Sequence, residues 1–183
     1  MKKEGSTVEE NKMETGRSMT ERLKNKKSLK NEMKIEFDAV SENEAFARVA
    51  VAAFVAPLNP TMEEISDIKT AVSEAVTNAI IHGYDVEEGE ACDDRENKVN
   101  IHCLILNDVL HVEVTDDGKG IDNIERAMEP LFTTKPDMDR SGMGFAFMEA
   151  FMDNLEVISE PGIGTTVLMN KKLGITPWLE QEE

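Results

Sequence analysis

The stretch Glu74-Ala-Val-Thr-Asn78-Ala-Ile-Ile-His82-Gly83 sets a carboxylate and a carboxamide four positions apart. Residues at i and i+4 stack on one face of a helix. A Glu there can take a proton from a hydroxyl or a water. An Asn oxygen can ligate a hard cation. A base and a cation ligand side by side suit phosphoryl transfer, provided that other segments supply a nucleotide site.

Three glycine-bearing segments are candidates for that site. Asp116-Asp-Gly118-Lys-Gly120 follows an apolar run, and glycine lets the backbone pass close to a flat or charged ligand. Asp116 can accept a hydrogen bond from an exocyclic amine such as that of adenine. Taken singly, the segment is also everyday turn chemistry. Arg140-Ser-Gly142-Met-Gly144 precedes a helix, where backbone N–H groups and the helix dipole attract phosphate. Upstream, Thr133-Thr134-Lys135 adds hydroxyls and a cation; a plain glycine-rich helix start with solvated Lys135 and Arg140 is the alternative. Gly162-Ile-Gly164-Thr165-Thr166 is a tight turn into a strand, whose hydroxyl can help to read a base or can simply begin a β-branched strand.

Other chemistries find less support. There is no P-loop, no dinucleotide glycine fingerprint and none of the HRD and DFG elements of ordinary protein kinases. His82, His102 and His111 are scattered without HxH or HExxH spacing, which speaks against a zinc hydrolase. The serines lack a GxSxG elbow. Cys92 and Cys103 form no CxxC pair; a single disulfide stays open, with reduced thiols the expectation. A net charge of −17 argues against direct nucleic-acid binding, which demands Lys and Arg. The first ten residues hold no apolar signal region, and no run approaches the roughly 18 apolar residues of a membrane span. A cytoplasmic protein without membrane contact is expected.

The elements that must position these residues follow from periodicity. Residues 1 to about 30 are nearly all polar and read as a disordered or weakly helical extension. Lys34-Ile-Glu-Phe-Asp38 alternates as a half-buried strand does. Ser41, with Glu44 three residues on, predicts a capping box for a helix to about Pro57, with Ala45, Phe46, Val49, Ala53 and Phe54 as its apolar side. Thr61-Met-Glu-Glu64 predicts a second cap, for a helix over 62–82 with the stripe Ile65, Ile68, Val72, Val76 and Ala79. Glu74 and Asn78 fall roughly opposite that stripe, and Gly83 suits a left-handed cap. An acidic loop at 85–96 leads to strands 99–106 and 109–115, joined at Asn107-Asp108. A short helix at 122–128, a helix from Gly142 to about Asp153, and strands 155–159 and 164–171 complete the order. That order predicts an α/β (α+β) two-layer sandwich with helices on one face of a mostly antiparallel mixed sheet.

In order and spacing, Glu-x-x-x-Asn, Asp-x-Gly-x-Gly, Gly-x-Gly and Gly-Thr resemble the N, G1, G2 and G3 boxes of the ATPases shared by gyrase, Hsp90, histidine kinases and MutL. More narrowly, Ser73-Glu-Ala-Val-Thr-Asn-Ala-Ile-Ile-His-Gly-Tyr84, Pro130-Leu-Phe-Thr-Thr-Lys-Pro136 and Arg140-Ser-Gly-Met-Gly-Phe145 resemble the anti-sigma F factors of endospore-forming bacteria. The resemblance covers about residues 30–174 and implies a Bergerat-type ATP-binding fold. It implies a protein serine kinase using ATP and Mg²⁺, with Glu74 as base, Asn78 as Mg²⁺ ligand and Asp116 on adenine. Gly118, Gly120, Gly142 and Gly144 would shape the nucleotide site, and Thr165 would support Asp116. Thr134, Lys135 and Arg140 would lie on a lid near the γ-phosphate.

The resemblance also implies a homodimer that holds a sporulation sigma factor inactive and phosphorylates its anti-anti-sigma antagonist on serine. Arg48 matches the position of a partner-contacting Arg, and equally reads as a solvated helix charge. A module that sequesters sigma with bound nucleotide but little turnover is the alternative function. The expected organisation is an extension at 1–29, an ATP-binding kinase domain at 30–174 and a flexible acidic tail at 175–183. Members of that family begin near Lys30, so one reading of the extension is a non-AUG start at Leu29. The longer loop at 85–96 departs from the family but leaves the boxes intact.

Overall fold

The structure is a computed structural model, and it describes residues 29–84, 97–129, 131 and 142–174. The extension at 1–28, the acidic loop at 85–96, the residues Thr134, Lys135 and Arg140, and the tail at 175–183 lie outside the described residues.

The chain folds as strand β1 (Leu29–Asp38), helix α1 (Glu42–Val55), a 3₁₀ turn (Ala56–Leu58) and helix α2 (Met62–Asn78). The last helix continues into a wider π turn (Ala79–Gly83). Strands β2 (Lys98–Leu106) and β3 (Val109–Asp116), a short helix α3 (Ile124–Ala127), helix α4 (Gly144–Phe151) and strands β4 (Asn154–Glu160) and β5 (Gly164–Lys172) follow. The five strands form one sheet in the order β1-β2-β3-β5-β4, and every pairing is antiparallel. The expected sandwich is present, with an antiparallel sheet rather than a mixed one.

The core explains the layering. Ile68, Ala71, Val72, Ala75 and Val76 of α2 are buried, with Ala47, Val51 and Val55 of α1 and Met148 of α4. They share one hydrophobic cluster with Ile101 and Cys103 of β2, Leu110, Val112 and Val114 of β3, and Val167 and Met169 of β5. Each Val, Leu, Ile or Met among them contributes roughly 1.5–3 kcal/mol when fully buried. Lys171 of β5 ties the layers together. Its Nζ lies 3.1 Å from Asp67 Oδ2 on α2 and donates to the Phe151 carbonyl at the end of α4 at 2.6 Å.

Local signals mostly act as anticipated. At the start of α2, Glu64 N–H donates to Thr61 Oγ1 at 3.1 Å and Thr61 N–H to Glu64 Oε2 at 2.6 Å, a complete capping box. Asn107 and Asp108 take φ of 49° and 63°, the left-handed pair that a two-residue hairpin requires. Cys103 is a free, buried thiol, its pKa pushed up to about 12 by burial.

Three expectations are corrected. Ser41 does not cap α1: its backbone is already helical and its buried hydroxyl has no hydrogen-bond partner, while Glu44 accepts from Ser73 Oγ on α2 instead. The buried side of α1 is Ala47, Val51 and Val55, whereas Phe46 and Val49 are 55% and 57% exposed. This helix is apolar nearly all round, so its period could not choose a face. Gly83 is absent from the left-handed positions; it ends a π turn and is needed for a close approach described below.

Candidate functional site

Strand alternation puts the first site residue in place. Along β3, Leu110, Val112, Val114 and Asp116 all point to the helix-bearing face, and all are buried. The carboxylate therefore ends an aliphatic stripe and is only 5% exposed. Gly118 N–H donates to its Oδ1 at 3.0 Å, and the Thr165 backbone N–H also donates to it. Burial raises the Asp116 pKa to about 6, against those two bonds, which lower it; the neighbouring Asp117 charge adds to the rise. At neutral pH the group is mostly ionised and can accept an N–H bond from a ligand.

Thr165 sits directly opposite Asp116 in the β3–β5 register. Its hydroxyl is 2.9 Å from Ser159 Oγ, so its support of Asp116 comes from its backbone N–H, not its side chain. Ser159 is a node that sequence reasoning missed. Its hydroxyl accepts from Ile121 N–H at 2.8 Å and lies 2.9 Å from the Gly164 carbonyl. It thereby ties the loop after β3 to the turn before β5, as does Gly162 N–H donating to the Lys119 carbonyl at 2.7 Å. A lone Ser in a strand carries no sequence signal for such a role.

The glycines are required by close backbone approach. A Cβ at Gly118 would lie 2.4 Å from the Gly83 carbonyl oxygen, and one at Gly164 (φ 130°) 2.1 Å from the Asp116 carbonyl oxygen. Gly120 has φ 71° and abuts the Glu160 carbonyl. The loop after β3 is thus packed backbone to backbone against Gly83 and against the turn before β5, leaving no room for side chains.

The second half of the site is on α2. Glu74 and Asn78 stack one turn apart, away from the buried residues of that helix, as the wheel anticipates. They meet the first residue of α4: a Cβ at Gly144 would lie 2.9 Å from Glu74 Oε2, 3.3 Å from Asn78 Nδ2 and 3.4 Å from Asn78 Oδ1. The N-terminal end of α4, with its unpaired N–H groups and positive dipole end, therefore opens beside a carboxylate and a carboxamide. Gly142 has φ 64° and accepts a bond from Leu131 N–H at 3.0 Å. Of the predicted site residues, Glu74, Asn78 and Gly144 come together at one point, and Asp116, Gly118 and Thr165 at another. The two are linked through Gly83, whose carbonyl accepts from Lys119 N–H at 2.9 Å.

Arg48 stands apart from both, on α1. Its guanidinium is 3.4 Å from Glu44 Oε1, one turn earlier, and its side chain is 42% exposed beside Phe46 and Val49.

An antiparallel sheet backed by helices, a buried Asp at the mouth of a glycine turn and a Glu–Asn pair facing a glycine helix start define a histidine kinase-like ATPase domain. The family model of that description matches residues 37–171. Over 145 residues, 79% of this chain, it is 59% identical to the anti-sigma F factor of Clostridium beijerinckii, covering 96% of that protein. It is 53% identical over 145 residues, again 79% of the chain, to the anti-sigma F factor of Bacillus subtilis, covering 94% of it. The chain belongs to the histidine kinase-like ATPase family and, within it, to the anti-sigma F factors. A solved structure of RsbU and RsbW domains from Mycobacterium tuberculosis shares the fold, with a TM-score of 0.54 at 20% identity, over 78% of this chain and 32% of that longer one.

Proposed function

We propose that the protein is an ATP-dependent protein serine kinase and anti-sigma factor, with residues 30–174 as its kinase domain. It binds and inhibits a sporulation sigma factor and phosphorylates that factor's anti-anti-sigma antagonist on serine. The observation that carries the kinase reading is the convergence of Glu74 and Asn78 on the start of α4 at Gly144. A module that only stored nucleotide would have no use for a carboxylate at that point.

The residues fit ATP and Mg²⁺. Asp116 accepts the exocyclic amine of adenine, its carboxylate oriented by Gly118 and Thr165 N–H groups. The N–H groups at the start of α4 face the phosphates. Asn78 Oδ1 would hold Mg²⁺, which would supply charge neutralisation at the phosphates. Glu74 takes the proton of the substrate serine hydroxyl as its oxygen bonds to the γ-phosphorus, and the bond to the β-phosphate oxygen breaks to leave ADP. Thr134, Lys135 and Arg140, which lie outside the described residues, are assigned to the phosphates on the resemblance of their motifs alone.

The sigma-facing surface is assigned to α1. Arg48 keeps 42% of its side chain exposed on α1, and Phe46 and Val49, three positions apart on another side of the same helix, expose apolar surface that a partner can cover. The working unit is a homodimer in the cytoplasm. Incubation with labelled ATP, Mg²⁺ and the candidate antagonist, followed by mapping of the modified residue, tests the reading. A single phosphoserine on the antagonist supports it; sigma binding with no label transferred would leave sequestration alone.

A further inference from the structure

We infer that Tyr84 is a positioning residue for adenine specificity, acting through Asp116; this rests on the reading that Asp116 accepts the adenine amine. The Tyr84 hydroxyl donates to the Lys98 carbonyl at 2.6 Å and accepts from Asp117 N–H at 2.9 Å. The N–H it holds belongs to the peptide that Asp116 shares with Asp117. The carbonyl of the same peptide is packed against Gly164, where a Cβ would come within 2.1 Å. One edge of the peptide is thus fixed by a hydrogen bond and the other by steric contact, and its plane sets the direction in which Asp116 leaves the strand.

The ring anchors the hydroxyl. Tyr84 packs against the hydrophobic core, and burial raises the pKa of its phenol, so the group stays protonated and keeps its donor for Lys98. The preceding residue adds a second contact to the same carboxylate: a Cβ at Gly83 would lie 2.8 Å from Asp116 Oδ1. Gly83 ends the π turn that continues α2 beyond its Glu74–Asn78 pair, and Tyr84 follows it. The end of that helix therefore grips the adenine-reading turn from both its side-chain and its backbone side.

The hydroxyl touches no reacting atom in this account, so its loss acts on base selection rather than on phosphoryl transfer. Tyr84→Phe keeps the ring and removes only the two bonds; Asp117 N–H can turn to water. Titration of the full chain with ADP and with GDP, by calorimetry, reads the effect. Tyr84→Phe should weaken ADP by roughly three- to tenfold, the worth of a neutral hydrogen bond, leave GDP unchanged and so lower the ADP-to-GDP preference. At saturating ATP, kcat should be unchanged while KM rises. Gly83→Ala, which crowds Asp116 without touching the hydroxyl, should lower the preference as well and controls for Asp116 itself; if Tyr84→Phe is unstable, the same titration is made at a temperature well below its melting midpoint. A role confined to stability would lower the melting temperature and leave the preference intact, which overturns the inference. Asp116→Asn separates the two readings. If it abolishes the preference while Tyr84→Phe and Gly83→Ala keep it, only the Tyr84 inference falls; a wild-type protein indifferent to ADP and GDP overturns both.

Discussion

A Cβ added at Gly144, the first residue of α4, would lie 2.9 Å from Glu74 Oε2. The distance is below ordinary van der Waals contact, and the atom struck is the end of a flexible side chain. Gly144→Ala should therefore fold, because its backbone lies outside the left-handed region. It should push Glu74 from its place and lower kcat by about a hundredfold, the scale of a 1 Å misplacement. Thermal unfolding beside steady-state kinetics checks both halves. A variant with normal kcat would show that Glu74 tolerates displacement.

The raised pKa of Asp116 predicts a pH dependence of nucleotide binding. The ionised form accepts the adenine amine, so ADP affinity should be flat above about 6. Below that it should fall by up to about tenfold per pH unit, the limit for one proton. The stability effect has the opposite sign. A carboxyl whose pKa is raised on folding favours the folded state at low pH, and that contribution declines as pH rises from 3.8 to about 6. Asp116→Asn should remove both trends. Calorimetric affinities between roughly pH 5 and pH 8, and denaturant midpoints from roughly pH 4 so that the interval from 3.8 to about 6 is crossed, provide the check.

Ile68 tests the packing that carries the site. It is fully buried in the apolar stripe of α2 with Val72 and Val76, which turns away from Glu74. Ile68→Ala should cost about 2–5 kcal/mol in chemical denaturation. Nucleotide affinity should stay near normal while the protein remains folded, since the pair faces the other way. A selective loss of ADP binding without loss of stability would contradict this division of the helix.

What was legible in the sequence depended on how sharply each pattern chose between faces. The Asp-Gly step after the predicted strand at 109–115 marks Asp116, though its burial in line with Leu110, Val112 and Val114 emerges only from the structure; in α2 the helical stripe separates Ile68, Val72 and Val76 from Glu74 and Asn78. In α1 no such contrast exists, so periodicity alone puts Phe46 and Val49 on the core side, whereas both are exposed. Ser41 and Glu44 matched a capping box in spacing, but Glu44 gains a hydroxyl from Ser73, a partner 29 residues away that local reading cannot see. Tyr84 and Ser159 escaped for the same reason: each joins backbone segments distant in sequence, and neither belongs to a pattern that spacing reveals. Gly83 was read as a cap because glycine at a helix end usually is one; here the missing side chain makes room for Asp116.

The central claim is that Glu74 is the base in transfer of a phosphoryl group to serine. The most direct measurement compares wild type with Glu74→Gln in single-turnover transfer from labelled ATP to the antagonist, at nucleotide concentrations that saturate both. The account predicts that Glu74→Gln binds ADP as wild type does and that its transfer rate falls by about 10²–10⁴-fold, the range for loss of a general base. A Glu74→Gln protein that transfers phosphate at a near-normal rate would contradict it.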